Sequence, residues 1–292
     1  MGEAPHRRGG AVSLLALIAS LVSQNLGAAI AKSLFPVVGV AGMAALRIGL
    51  SALLLLAFWR PWRHPLARRG WGNLVAYGAM LGGMNLCIYH AFGRMPIGIA
   101  TAIETTGPLV VVLAASRRAL DVAWVALAIA GLALLLPLAS GSVLDPLGLL
   151  FSFGAALSWA LYIVFGKRVS TLASGQAVSL GMLVAALFAV PLGVADAGAA
   201  MAQPAALLAG LGVALLSSAV PYSLEMAALR RLPRHVFGIL VSATPAVGAA
   251  CGAIVLGERL SAPQWLAIAL IIGASAGGAA NAGRPSPDTA GV

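Results

Sequence analysis

The sequence predicts an all-α polytopic membrane protein: ten transmembrane helices arranged as two inverted five-helix repeats. Three observations carry that expectation. The chain of 292 residues is 61% apolar and only 9% charged, with a mean hydropathy of +0.98, whereas a soluble domain carries roughly 25% charged residues. Its apolar residues fall into runs long enough to cross a bilayer. Its two halves also repeat the same spacings of proline, arginine, lysine and tryptophan.

A crossing helix needs about 20 mainly apolar residues. Runs of that kind, interrupted by charges, prolines and glycines, lie near residues 12–32, 38–58, 73–93, 97–115, 121–138, 147–166, 177–196, 205–226, 236–256 and 264–283. The linkers between them are short and leave no room for a soluble domain. Arg7 and Arg8 before the first run resemble the start of a signal peptide, but that run has a counterpart in the second half and is expected to be retained.

Ten crossings place both termini on one side, and the basic residues indicate which. With the termini in the cytoplasm, the inner segments hold 14 of the 18 Lys and Arg residues, including Arg7, Arg60, Arg117, Lys167 and Arg230. The outer segments hold only Lys32, Arg94 and Arg259, and Arg47 lies within a span. The positive-inside rule predicts this skew, so a bacterial inner membrane with cytoplasmic termini is expected. The same scattering argues against nucleic acid as the partner of a chain with net charge +10, because such binding gathers the charge on one face.

The repeat is written in matched pairs. Pro96 is followed by Pro108, and Pro233 by Pro245; Ser23 precedes Lys32 as Ser158 precedes Lys167; Arg118 precedes Trp124 as Arg259 precedes Trp265. The expected halves are residues 1–140 and 141–283, with 284–292 a disordered cytoplasmic tail. Five spans per half is an odd number, so the second half enters the membrane from the opposite side. Transporters recurrently use that design, with the substrate site near the midplane between the halves.

Ionisable groups at membrane depth cost about 2.5–3.5 kcal/mol or more and require a partner, a cavity or a function. Arg47 and Glu104 lie roughly 13 and 10 Å from the outer ends of spans two and four, at 1.5 Å per residue. One reading makes them a permanent ion pair that ties the bundle together. The other has Glu104 facing a cavity, exchanging a proton or binding an ammonium, with Arg47 tuning it. Pro108 removes a hydrogen bond from the carbonyl of Glu104, four residues earlier, and favours a kink there. Asn85, Thr105, Ser23, Gln24 and Ser158 reach comparable depth, as do Asn25, Ser217 and Ser218. Trp159 and Tyr222 are candidate aromatic walls, and Glu225 is either a cavity carboxylate or a partner of Arg230 and Arg231. His90 reads as structural, and Lys32 and Lys167 as residues that snorkel to opposite interfaces. Cys87 and Cys251 sit in apolar stretches as packing residues. No metalloprotease, serine-hydrolase or nucleotide-binding motif is present, so no enzyme activity, metal or cofactor is expected.

Several stretches together resemble a known family. They include Ala31-Lys32-Ser33-Leu34-Phe35-Pro36, Ala45-Leu46-Arg47, Gly82-Gly83-Met84-Asn85, Pro96-Ile97-Gly98-Ile99-Ala100, Thr106-Gly107-Pro108 and Pro221-Tyr222-Ser223-Leu224-Glu225-Met226. In these the chain is similar, along nearly its whole length, to the drug/metabolite transporter superfamily with EamA-type halves, and within it to bacterial threonine/homoserine exporters. The resemblance implies a ten-helix basket whose cavity is lined by spans one to four and six to nine, with the fifth and tenth behind. It also implies export of a small amino acid, driven by the proton gradient. Ser242-Ala243-Thr244-Pro245 departs from the family's Met-Glu-Pro-like segment and lacks its carboxylate, which leaves substrate preference open. The alternatives are export of another metabolite or lipophilic cation, or a non-transporting membrane protein held by a structural Arg47–Glu104 pair.

Overall fold

The computed structural model describes residues 4–63, 70–114, 119–135, 144–170, 172, 175–221, 224–225, 232 and 234–282. Among these the regular structure is helical: α1 (Ala4–Ser33), α2 (Val40–Trp59), α3 (Trp71–Phe92), α4 (Ile97–Ala114), α5 (Ala119–Leu135), α6 (Pro146–Val169), α7 (Gln176–Ala197), α8 (Pro204–Ala214), α9 (Arg234–Val241), α10 (Thr244–Leu256) and α11 (Ala262–Ala282). By length and composition, six stretches can cross a membrane: Val12–Ser33, Val40–Trp59, Pro146–Val169, Gln176–Ala202, Val236–Leu256 and Ala262–Ala280. Apolar helices at Ile97–Val111, Val122–Leu135 and Pro204–Ala219 are shorter.

Each boundary has a local cause. Gly39, with φ +70°, turns the chain into α2, and Arg60 ends that helix in the left-handed region, its N–H bonding Leu56 O. Asp145 caps α6 by accepting from Leu147 N at 2.8 Å, with Pro146 in the first turn, where a missing N–H costs nothing. Arg94 also donates to Asp145 at 3.0 Å, and this bond with the Leu147 N–H holds that exposed carboxyl below the usual carboxylate range.

Two of the expected spans are not simple helices. The eighth runs from α8 into a π-helical turn at Leu215–Ala219. The ninth, expected as continuous over 236–256, breaks at Ser242–Ala243 between α9 and α10. Pro245 is the reason, since it cannot donate to Val241 O and its ring would collide with that carbonyl. Thr244 Oγ1 donates to Val241 O instead, at 2.5 Å, and Ser242 Oγ donates to Gly238 O at 2.8 Å. The expected tail, 284–292, lies outside the described residues.

Contacts between the two parts of the chain come in reciprocal pairs. α3 packs on α6, and α1 on α8 and the π turn; α4 packs on α6, and α1 on α10; α3 packs on α7, and α2 on α8. α2 meets α7, α4 meets α10 and α5 meets α11. Small residues make these crossings close. A Cβ on Gly193 would overlap Ala45, one on Gly107 the carbonyl of Ala156, and one on Gly78 would stand 2.6 Å from Gly181 O. Association in lipid relies on such approach, because apolar surface gains nothing by leaving apolar solvent. Leu53, Phe58, Leu157, Leu187, Leu208 and Ile254 meanwhile stay exposed on the outside of the bundle, as a lipid-facing surface should.

Gly193→Val is expected to lower the detergent-solubilised melting temperature, by an amount matching about 1–3 kcal/mol of overpacking. Gly72→Ala, whose Cβ meets nothing within 4 Å, is expected to be neutral. A thermal melt of the two variants checks the contrast, and equal melting temperatures would contradict it.

Candidate functional site

A cavity of about 330 Å³ lies at the centre of the bundle. That is the small end of the range of roughly 300–1,000 Å³ typical of ligand pockets. Helical periodicity decides what faces it. Leu21, Gln24, Asn25 and Ala28 of α1 follow an i, i+3, i+4, i+7 stripe, and α3 contributes Leu81, Met84, Asn85, Ile88, Tyr89 and Phe92 by the same spacing. Thr101 and Glu104 of α4 stand three apart, as do Trp159 and Tyr162 of α6. Arg47, Ser217, Glu225, Phe237, Val241 and Thr244 complete the wall. Among the described residues α5, α7 and α11 contribute none to the lining, so the stretches 121–138 and 264–283 stand behind the wall, and 177–196, expected at the wall, does not reach it.

Arg47 and Glu104 are both buried and both line this cavity, yet they form no ion pair. Arg47 donates instead to Asn85 Oδ1 at 2.7 Å and to Ser217 O at 3.5 Å, and its guanidinium lies 5.2 Å from the centre of the Tyr89 ring. Asn85 is itself fixed, donating from Nδ2 to Leu81 O at 2.7 Å. A guanidinium has five donors in a rigid fork, so part of its capacity remains unused. Glu104 accepts no hydrogen bond from any described residue. In place of the permanent ion pair, a guanidinium and a carboxyl group line the same cavity without pairing.

Of the ten residues singled out from sequence, Glu104, Arg47, Asn85, Gln24, Trp159 and Glu225 line the cavity. Three do not. Ser23 donates to Leu216 O at 2.7 Å and ties α1 to the π turn. Thr105 donates to Thr101 O within its own helix at 2.6 Å. Ser158 faces Gly83 in the α3–α6 crossing, 3.4 Å from where a Cβ would stand. In each case depth was legible from sequence but facing was not. Tyr222 lies outside the described residues. Glu225 lines the cavity and accepts from Ser20 Oγ at 2.9 Å; Arg230 and Arg231, its other expected partners, lie outside the described residues.

Some functional surface escaped the sequence reading. Tyr162 stacks on Tyr77 with centroids 4.8 Å apart and hydroxyls 3.1 Å apart; its position three residues past Trp159 was the available signal. Thr101 stands three residues before Glu104, on the same face. Lys32, expected to snorkel, has partners in the protein: it donates to Glu258 at 2.7 Å and to Met95 O at 2.8 Å. His90 stacks on Phe151, which fits the structural reading.

The description "EamA-like transporter family" matches residues 146–277. The threonine/homoserine exporter RhtA of Escherichia coli (strain K12) is 46% identical over 265 residues, covering 90% of each chain. This chain belongs to the EamA-like transporter family. The RhtA exporter of Salmonella typhimurium (strain LT2) is equally similar, and an uncharacterized inner membrane transporter of Escherichia coli (strain K12), YedA, is 29% identical over 79% of this chain and 78% of its own. A solved crystal structure with 18% identity superposes with a TM-score of 0.59 over 93% of this chain and 96% of that one, so the fold has an experimental counterpart. As an EamA-like transporter the chain is a membrane protein whose central cavity is the place to seek its solute.

Asn85→Leu would strip Arg47 of its side-chain partner in a buried site, a loss of about 1–3 kcal/mol or more. It is expected to lower the melting temperature and reduce transport at least about tenfold. Thr105→Val, which leaves the cavity wall intact, is expected to keep transport within about twofold. Equal loss in both would show that depth, rather than facing, decides.

Proposed function

We propose that the chain exports a small zwitterionic amino acid of the threonine or homoserine kind across the bacterial inner membrane, by alternating access and at the expense of the proton gradient. The observation that carries this reading is the unpaired arrangement of Arg47 and Glu104 on one cavity wall. A zwitterion offers a carboxylate to the guanidinium and an ammonium to the carboxylate, so one solute satisfies both charges. The relatives named threonine/homoserine exporters support that substrate class, and the small cavity volume agrees with it.

The frame proposed is ten crossings in two inverted halves, 1–140 and 141–283, with both termini cytoplasmic. The reciprocal helix contacts support it, since exchanging the halves maps α3–α6 onto α8–α1 and α4–α6 onto α10–α1. So does the skew of Lys and Arg towards the inner segments. The family match to 146–277 falls within the second half. In this frame the cavity sits between the halves, where inverted-repeat transporters bind their solute. Glu104 then has two duties, holding the ammonium and accepting the proton that replaces it.

Glu104→Gln is expected to express and fold while gradient-driven threonine efflux from proteoliposomes falls to background. Normal efflux by that variant would remove Glu104 from the mechanism. Threonine and homoserine should compete with labelled threonine in counterflow, whereas a lipophilic cation should not. Competition by the cation alone would transfer the reading to another solute.

A further inference from the structure

Just beyond one end of the cavity the chain closes on itself through a single carboxylate. Ala28 is the last cavity residue of α1, and Lys32 lies one turn further on. Lys32 Nζ reaches Glu258 Oε1 at 2.7 Å and Met95 O at 2.8 Å, while Glu258 Oε2 accepts from Ile97 N at 3.0 Å. The end of α1, the turn before α4, the first turn of α4 and the segment after α10 therefore meet at one point. Both charged side chains are largely covered, at 21% and 11% exposure, and Met95 and Ile97 are buried.

The backbone is shaped to deliver that carboxylate. Gly257 adopts φ +68°, ending α10, and Glu258 N donates back to Gly252 O at 3.1 Å. The turn folds Glu258 over the end of its own helix, and its Oε2 occupies the space where a Cβ of residue 252 would stand. Glycine at 252 is thus required for the approach. Through Ile97 N the carboxylate also lies at the start of α4, where a negative charge is favoured.

We propose that Lys32–Glu258 is the latch of the outer mouth: it holds this end of the cavity shut and must part before solute can leave. The inference rests on the alternating-access reading and on the orientation given above. An ion pair suits the task because one carboxylate links the ends of α1 and α10 to the start of α4, above the seams along which α10 packs on both helices. The repeat makes the device one-sided. Arg118 and Arg259 are matched positions, each six before a tryptophan, so the counterpart of Glu258 is Arg117, and that of Lys32 is Lys167. Two cations cannot pair, and Lys167 is exposed. The matched positions therefore cannot form the same pair at the other end.

The test places a reporter, Ala28→Cys, in protein lacking its native thiols (Cys87→Ala, Cys251→Ala). Right-side-out vesicles are treated with a membrane-impermeant maleimide. Glu258→Gln and Lys32→Met remove the charge pair, whereas Gly252→Ala displaces the carboxylate while keeping both charges. Each is expected to raise the outer labelling rate at least about tenfold, the scale of a lost charged hydrogen bond. Thermal melts confirm that the variants compared are folded. Unchanged rates in the folded variants overturn the latch, as does a rise in Glu258→Gln without one in Gly252→Ala, or faster labelling from the cytoplasmic face alone. Threonine counterflow by the protein without the reporter substitutions is read in parallel: its failure removes the amino-acid reading, while the labelling rates still decide the latch.

Discussion

A charged group surrounded by hydrocarbon costs about 2.5–3.5 kcal/mol or more, and the placement of nearly every polar side chain here follows from that cost. The bundle turns Leu53, Phe58, Leu187 and Ile254 outward and draws Arg47, Asn85 and Glu104 to its centre. Most of the smaller polar groups are silenced locally: Thr101, Thr105, Thr106 and Asn85 each donate to a carbonyl of their own helix. Arg47 differs, since no residue on its own helix is its partner. It reaches across to Asn85 on α3 and to the π turn, which locks three elements around one charge.

That arrangement needs helices that approach closely on one side and part on another. Glycine and alanine supply the approach, as at Gly193 against Ala45 and Gly98 against Ala249. The parting comes from irregular backbone. The π turn carries Ser217 to the cavity and lends its carbonyl to Arg47, and the break before α10 puts Val241 and Thr244 on the wall. Non-helical backbone at membrane depth is tolerated only where protein or a hydrated cavity satisfies its polar groups, so both irregularities are expected beside the site and nowhere on the lipid face.

How much of this was legible in the sequence depended on which physical signal a residue left. Length and hydropathy located the helices, because a span is a sum over some 20 residues and tolerates errors at single positions. The depth of Glu104 and Arg47 followed from counting. Facing did not, since a rotation of one residue turns a helix by about 100°. Thr105 and Glu104 are neighbours at equal depth, yet one bonds to its own helix and the other opens on the cavity. Ser23 and Gln24 divide in the same way. Glu258 was invisible for a different reason: at the end of a span beside Arg259 it reads as an ordinary interfacial charge, and only the turn at Gly257 carries it back onto Lys32.

Two prolines at matched spacings have different outcomes. Pro108 and Pro245 follow Pro96 and Pro233 at the same interval, and each deprives a carbonyl four residues earlier of its donor. Around Pro108 the helix continues, and Gly107 presses it against the carbonyl of Ala156. Before Pro245 stands Thr244, whose hydroxyl takes the place of the missing N–H at Val241 O, and the helix stops and restarts. The residue before each proline suits its outcome: Gly107 allows close packing of a continuous rod, whereas Thr244 satisfies the carbonyl freed at a break. The two proline-bearing stretches thus lie side by side, since α4 packs on α10, and the cavity is lined there by Glu104 from a continuous helix and by Val241 and Thr244 from a broken one.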